Sequence, residues 1–292
     1  MSAPPTPEIP PVLAGLFDDA AVFPPGNLPV EEAVRAHVAH TRGAHAGLVG
    51  TFVLAAKDVD RLAEPTADLP EGSFALSVTV DLPGLADALA AARRIPAVRP
   101  AGLEVAVPDG VAAEAVVPAL DEALDDDSGL TVYVEVPRDD RRAALLAALA
   151  GTPYLAKFRT GGVRADLYPD ERELAAALLA AVRAGVAFKA TAGLHHALRN
   201  TDPETGFEQH GFLNLLVAAD AALRGAEEAE LVRLLADRDG DRVSGRVRAL
   251  SPRVRDLFRS FGTCSVAEPA VESAALGLLP AATVADLTEV SA

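Results

Sequence analysis

The chain has 292 residues, half of them hydrophobic, enough to bury a large core in one large domain or two smaller ones. A net charge of −16 opposes nucleic acid or an anionic membrane as partner, since both demand a basic footprint. One cysteine excludes an intrachain disulfide framework; with no secretory-type start and no apolar run of about 18 residues, a cytoplasmic protein is expected.

Residues 1–11 are proline-rich and read as disordered. Leu16-Phe-Asp18-Asp19-Ala-Ala-Val-Phe23-Pro24-Pro25-Gly26 reads as a stiff turn plugging the base of the fold, with Asp18 or Asp19 as an alternative ligand contact. From residue 30 onward, short β-branched runs alternate with Ala/Leu-rich segments of helical period. Strands are predicted over 48–54, 74–81, 102–107, 130–136, 155–160 and 186–192. Helices are predicted over 30–41, 58–63, 85–93, 111–124, 141–149 and 171–184, and Asp125-Asp126-Asp127 reads as a solvated helix end. Beyond His210 come helices over 212–223 and 227–235, an ambiguous stretch over 237–250, a last strand over 261–266 and a helix over 268–278. Six strand–helix units near 28 residues apart, with a seventh and eighth to be found, predict a single-domain α/β fold, a (β/α)8 TIM-type barrel. An early Gly-x-Gly-x-x-Gly, the mark of an open dinucleotide-binding sheet, does not occur. The expected layout is an N-terminal extension over 1–28, the barrel over 29–280 and a C-terminal tail over 281–292. The weak point of the strand count is 241–247, where the seventh strand would have to lie.

Strand side chains alternate between faces, so the polar set of each strand shares one side. That set is Thr51, then Ser77, Thr79 and Asp81, then Glu104, Tyr133 and Glu135, Lys157 and Arg159, and Lys189 and Thr191. The opposite face is apolar and would pack on helices, which turns the polar set into the barrel interior. An ion-pair network filling that interior would satisfy the same pattern, because buried charges must pair in any case. Barrel interiors are ordinarily packed with Val, Ile and Leu, so a polar interior points to a polar ligand, with Asp81, Glu135, Arg159 and Thr191 near the mouth.

Of 26 lysines and arginines only three are lysines, and two occupy near-copies of one segment, Tyr154-Leu-Ala-Lys157-Phe-Arg159-Thr-Gly161 and Val186-Ala-Phe-Lys189-Ala-Thr191-Ala-Gly193. Where arginine has replaced lysine nearly everywhere, a retained lysine marks a place that needs a primary amine. Arg159 and the Gly161-Gly162 turn can clamp an anion, the arginine through paired bonds and the turn through a nest of N–H groups. His195, His196 and His210, with Asn214 close behind, put three of six histidines within 16 residues, suited to substrate binding or proton transfer. Adjacent histidines diverge, and no zinc-type spacing is present, so neither metal nor another cofactor is expected. Cys264 reads as an inert buried thiol.

Asp19-Ala-Ala-Val-Phe-Pro-Pro, Lys189-Ala-Thr-Ala-Gly-Leu-His-His, His210-Gly-Phe-Leu-Asn and Phe261-Gly-Thr-Cys-Ser together resemble a bacterial protein family, a resemblance that spans most of the chain and implies no function. Lys157-Phe-Arg-Thr-Gly and Lys189-Ala-Thr-Ala-Gly resemble the two lysine strands of class I aldolase barrels, especially deoxyribose-phosphate aldolase. That resemblance covers about 40 residues and implies a Schiff-base lysine at Lys157 with Lys189 as the neighbour that lowers its pKa. The chain departs from the aldolases after Lys189, where His-His replaces a glycine-rich phosphate loop, which argues against a phosphorylated substrate. The expected activity is an aldolase-type lyase acting on a small anionic carbonyl compound, with Glu135 or Asp81 as general base. The alternatives are a histidine-centred hydrolase or isomerase, metal-assisted or not, and a non-catalytic barrel that binds a small ligand. Oligomeric state is not legible.

Overall fold

The apolar members of each alternating run are buried in the core, as Leu76, Val78, Val132, Val134, Phe158 and Ala190 illustrate, and Ser77, Glu104, Lys157 and Lys189 are buried on the other face, so the strands are covered on both sides as in a closed parallel barrel. The computed structural model describes residues 8–124 and 129–288. Its strands are β1 (Phe17–Asp19), β2 (Val49–Ala55), β3 (Phe74–Asp81), β4 (Val98–Ala106), β5 (Thr131–Glu135), β6 (Leu155–Arg159), β7 (Phe188–Thr191), the hairpin pair β8 (Asn200–Thr201) and β9 (Glu208–Gln209), and β10 (Phe258–Thr263). Eight of them close an all-parallel barrel in the order β1-β10-β7-β6-β5-β4-β3-β2, while β8 and β9 form a separate antiparallel ribbon. The α/β barrel expected from the alternation is therefore the fold, in one domain.

The helices are α1 (Val30–His40), α2 (Leu85–Arg93), α3 (Ala113–Ala123), α4 (Arg141–Leu149), α5 (Glu171–Ala184), α6 (Phe212–Leu223), α7 (Glu228–Leu235), α8 (Gly240–Arg248), α9 (Val254–Leu257), α10 (Ala267–Ala275) and α11 (Ala285–Thr288). Local chemistry sets their ends. Helix α5 starts where the Asp170 carboxylate accepts from the Glu173 N–H at 2.7 Å, and it stops at Gly185, with φ of 66°. None of the helices is long and apolar enough to cross a membrane. Asp125-Asp126-Asp127, residues 1–7 of the proline-rich start and residues 289–292 of the expected tail lie outside the described residues.

Three expectations are corrected. The stretch 241–247 is not a strand but the body of α8, because Val243 and Val247 are buried one helical turn apart and the Asp239 side chain caps the Arg242 N–H. The missing strand is β1, inside the segment expected to be an extension. It pairs with β10 through Phe17 and Phe261 and with β2 through Phe17 and Val49, closing the barrel. Three residues, two of them aspartates, carry no strand pattern, since Asp is disfavoured in sheets. The Phe23-Pro24-Pro25 turn that follows lies beside Cys264 at the mouth, not at the base: a side chain on Gly26 would stand 3.1 Å from the Cys264 Cβ.

Asp19 points outward and holds α1 in place, its Oδ2 3.0 Å from Nδ1 of the buried His37. Between β7 and β10 the chain makes a long excursion that seats α6 on the preceding loop. The N–H groups of Phe212 and Leu213 donate to the carbonyls of His196 and Ala197, at 3.2 and 3.1 Å. Close approach requires glycine at 211, since a Cβ there would lie 2.4 Å from the Leu198 backbone.

Gly211→Ala should therefore lower stability by about 1–3 kcal/mol through overpacking against backbone. Gly245→Ala, in an open stretch of α8 with nothing within 4 Å of the added methyl, should raise it by up to about 1 kcal/mol. Urea unfolding of both variants checks the pair; equal midpoints would contradict the packing at Gly211.

Candidate functional site

Alternation along the strands brings six charged side chains into one connected line across the interior. On β1, Asp18 Oδ2 accepts from Lys189 Nζ of β7 at 2.7 Å. The same Nζ lies 2.5 Å from Glu104 Oε1 on β4, and Glu104 Oε2 lies 3.3 Å from Lys157 Nζ on β6. Lys157 then meets Glu135 Oε2 of β5 at 2.9 Å, and Glu135 Oε1 accepts from Arg159 Nε at 3.1 Å. Acid and base alternate without a break, and hydroxyl groups add further bonds to the two innermost carboxylates. Ser260 and Thr51 donate to Asp18 at 2.6 and 3.1 Å, and Ser77 donates to Glu104 at 3.2 Å.

Burial by itself would push the Glu104 carboxyl up, but Lys189 and Lys157 reverse this and hold it at about 2. Burial would likewise pull Lys189 down, yet Asp18 and Glu104 hold it above the ordinary lysine range. Lys189 is thus a fixed cation, with its ammonium 5.2 Å from the centre of the Tyr133 ring. The Glu135 carboxyl is favoured upward by burial and carried below its usual range by Lys157 and Arg159.

The line ends at a cavity of about 510 Å3 at the mouth, where the strands finish at their C-terminal ends. Glu104, Glu135, Lys157 and Arg159 line it, with Thr191, the β7 neighbour of Arg159, and His195. Lys189, 1% exposed, is sealed beneath. Asp81 also lines the cavity but at its exposed rim, so the acid at the floor is Glu104.

Other expected contacts resolve differently. Gly161 and Gly193 owe their identity to Tyr168, because a Cβ on either would lie within 3 Å of its ring. Neither Gly161 nor Gly162 has positive φ, and the Gly162 N–H is directed to the Tyr168 hydroxyl, so this turn is no anion nest. The strained backbone sits opposite, at Ala192 with φ of 62°, where the Thr160 hydroxyl donates to its carbonyl at 2.6 Å.

The histidines do not converge. His195 Nδ1 faces Cys264 Sγ at 3.1 Å, His196 Nδ1 faces Glu272 at 2.7 Å, and His210 Nε2 faces the Pro169 carbonyl at 2.8 Å. His210 and Asn214 are wholly buried away from the cavity. Asn214 accepts from the Arg199 N–H and donates to the Leu234 and Asp237 carbonyls, which makes it a structural clasp and not a substrate contact. Among the described residues no group of three or more His, Cys, Asp or Glu is placed to hold a metal ion.

Burial, with Glu268 nearby, pushes the Cys264 thiol up to about 11, while burial and His196 pull His195 down. The thiol therefore donates to Nδ1, leaving the proton of the neutral ring on Nε2. Both residues line the cavity. Sequence reasoning named His195, Cys264 and Asp18 but not the contacts they make, because partners 69 and 171 residues apart leave no local signal.

No protein-family model matches the chain, and a search of curated proteins returns no match. Among solved structures, "PhdJ bound to substrate intermediate" is 13% identical, with 97% of this chain and 77% of that chain covered and a TM-score of 0.45. The geometry of this chain alone therefore carries the functional argument.

The depressed Glu104 carboxyl makes a pH prediction. Its contribution is complete above the ordinary value of 4.5 and is lost as pH falls toward about 2, a difference of roughly 3 kcal/mol. In denaturant titrations the stability gap between the native protein and Glu104→Gln should narrow across that window. A gap constant from pH 6 to pH 2 would contradict the assigned ion pairs.

Proposed function

We propose that the protein is an aldolase-type lyase that acts on a small anionic carbonyl compound through an imine on Lys157. The observation that carries this is the unequal placement of the two lysines: Lys157 lines the cavity, whereas Lys189 is sealed below it between two carboxylates. Of the two candidate amines, only Lys157 stands where a carbonyl carbon can arrive.

Imine formation needs a neutral amine. Glu135 lies 2.9 Å from the Lys157 amine and shares its other oxygen with Arg159, half-exposed at the mouth. An anionic group on the substrate competes with Glu135 for Arg159. Once the guanidinium turns to the substrate, Glu135 loses a compensating charge and becomes the better base for the Lys157 proton. Substrate binding thereby deprotonates the nucleophile. The amine adds to the carbonyl, Glu135 returns the proton to the carbinolamine hydroxyl as it leaves as water, and the iminium takes up the electron pair of the bond between its α and β carbons as that bond breaks. Glu135 then takes the proton of the β-hydroxyl group, whose carbon departs as an aldehyde or ketone and leaves the enamine. Reprotonation of the enamine carbon and hydrolysis free the amine.

The chain suits a trapping assay, since Lys57, Lys189 and the N-terminal amine are the only competitors. With pyruvate or glyoxylate as probe, borohydride should fix an adduct that peptide mass spectrometry places on Lys157, and Lys157→Arg should abolish it. Adduct confined to Lys57 or the N-terminus would refute the imine and leave a non-catalytic ligand-binding barrel as the better account.

A further inference from the structure

A second cavity of about 370 Å3 adjoins the first, and Pro24, Gly162, Ala192, His195 and Cys264 line both. The two form one bilobed mouth whose lobes differ in charge: the first holds Lys157 and Arg159 interleaved with Asp81, Glu104 and Glu135, whereas no lysine or arginine lines the second. Instead the second is bounded by the carboxylates of Asp202, Glu204 and Glu268 and by the rings of Tyr168 and Phe207, whose centroids are 5.6 Å apart. Its two histidines add little positive charge: burial keeps His195 neutral, and the His196 ring is matched by Glu272.

One atom points to a ligand independently of the acidic rim. Gln209, 4% exposed, lines this lobe, and its Nε2 donates to Asp202 Oδ2 at 3.2 Å. That bond fixes the orientation of the amide and leaves Oε1 as a buried acceptor with no hydrogen-bond partner. An unpaired buried acceptor is destabilising, and a donor seated in the lobe would satisfy it. The lobe thus combines surplus acceptors, surplus negative charge and an aromatic wall, the features that recognise an organic cation. Phosphate and carboxylate groups, which the first lobe suits, would be repelled here.

We propose that the second lobe binds a protonated amine, the distal end of the molecule whose carbonyl is held at Lys157. The substrate class becomes a small carbonyl compound with an anionic group at the Arg159 end and an ammonium group at the other. This rests on the first lobe being the carbonyl site, but it can be tested apart from that chemistry.

The probe is n-butylammonium, with 1-butanol and butyrate as neutral and anionic controls, followed by NMR titration of the full chain at neutral pH. The expected result is saturable binding of the amine, weakened about tenfold or more in Glu204→Gln/Glu268→Gln and unchanged in Lys157→Arg. Both glutamates are exposed, so the double variant should fold normally. Equal affinity for 1-butanol and the amine, or no loss in the double variant, would overturn the proposal. Amine binding without borohydride trapping at Lys157 would sink the imine and keep the lobe; trapping without amine binding would do the reverse.

Discussion

Everything in the barrel interior depends on one constraint: a charge removed from water must find its opposite within contact distance. Moving an ion into a low-dielectric interior costs several kcal/mol even after relaxation. Here five strands contribute six side chains to a single alternating line, Asp18–Lys189–Glu104–Lys157–Glu135–Arg159, and no member can be removed without stranding its neighbours. The line fixes strand register, because Lys157 and Lys189 lie directly opposite each other on β6 and β7, and Glu135 opposite Lys157 on β5. It also grades accessibility, from the sealed Asp18 to the half-exposed Arg159.

That gradient separates structure from chemistry along one network. The inner pair, Asp18 and Lys189, is saturated by Ser260, Thr51 and Glu104. The outer pair, Glu135 and Arg159, shares a single hydrogen bond at the cavity, which an incoming anion can replace. Lys157 stands between the two regimes, anchored to Glu104 behind and to Glu135 in front. Glu104 stands between the two lysines and pairs with both, so their amines do not face each other directly.

The closed barrel and its polar interior were legible because period-2 alternation survives in β3, β5, β6 and β7, each long enough to show it. Lys157, Lys189, Glu135 and Arg159 fell on the inner face for the same reason. Strand β1 was not legible. Three residues cannot display a period, and Asp18 and Asp19 are poor strand formers held there by Lys189 and His37, contacts that no local window contains. The His-His and His-Gly-Phe-Leu-Asn segments drew attention as dense polar clusters. The fold uses His210 and Asn214 to clasp a long excursion, which shows that polar density near a site does not distinguish a ligand contact from a backbone clasp.

The bilobed mouth gives the network a direction, with paired cations and carboxylates in the inner lobe and carboxylates without lysine or arginine in the outer one. The central claim is that Lys157 alone among the interior lysines faces the cavity. Competitive reductive methylation of the native protein, read by mass spectrometry at each of the three lysines, measures this directly. The account predicts rapid modification of exposed Lys57, slower modification of Lys157, and none at Lys189 until the protein unfolds. Modification of Lys189 at the rate of Lys157, or silence at both, would contradict it.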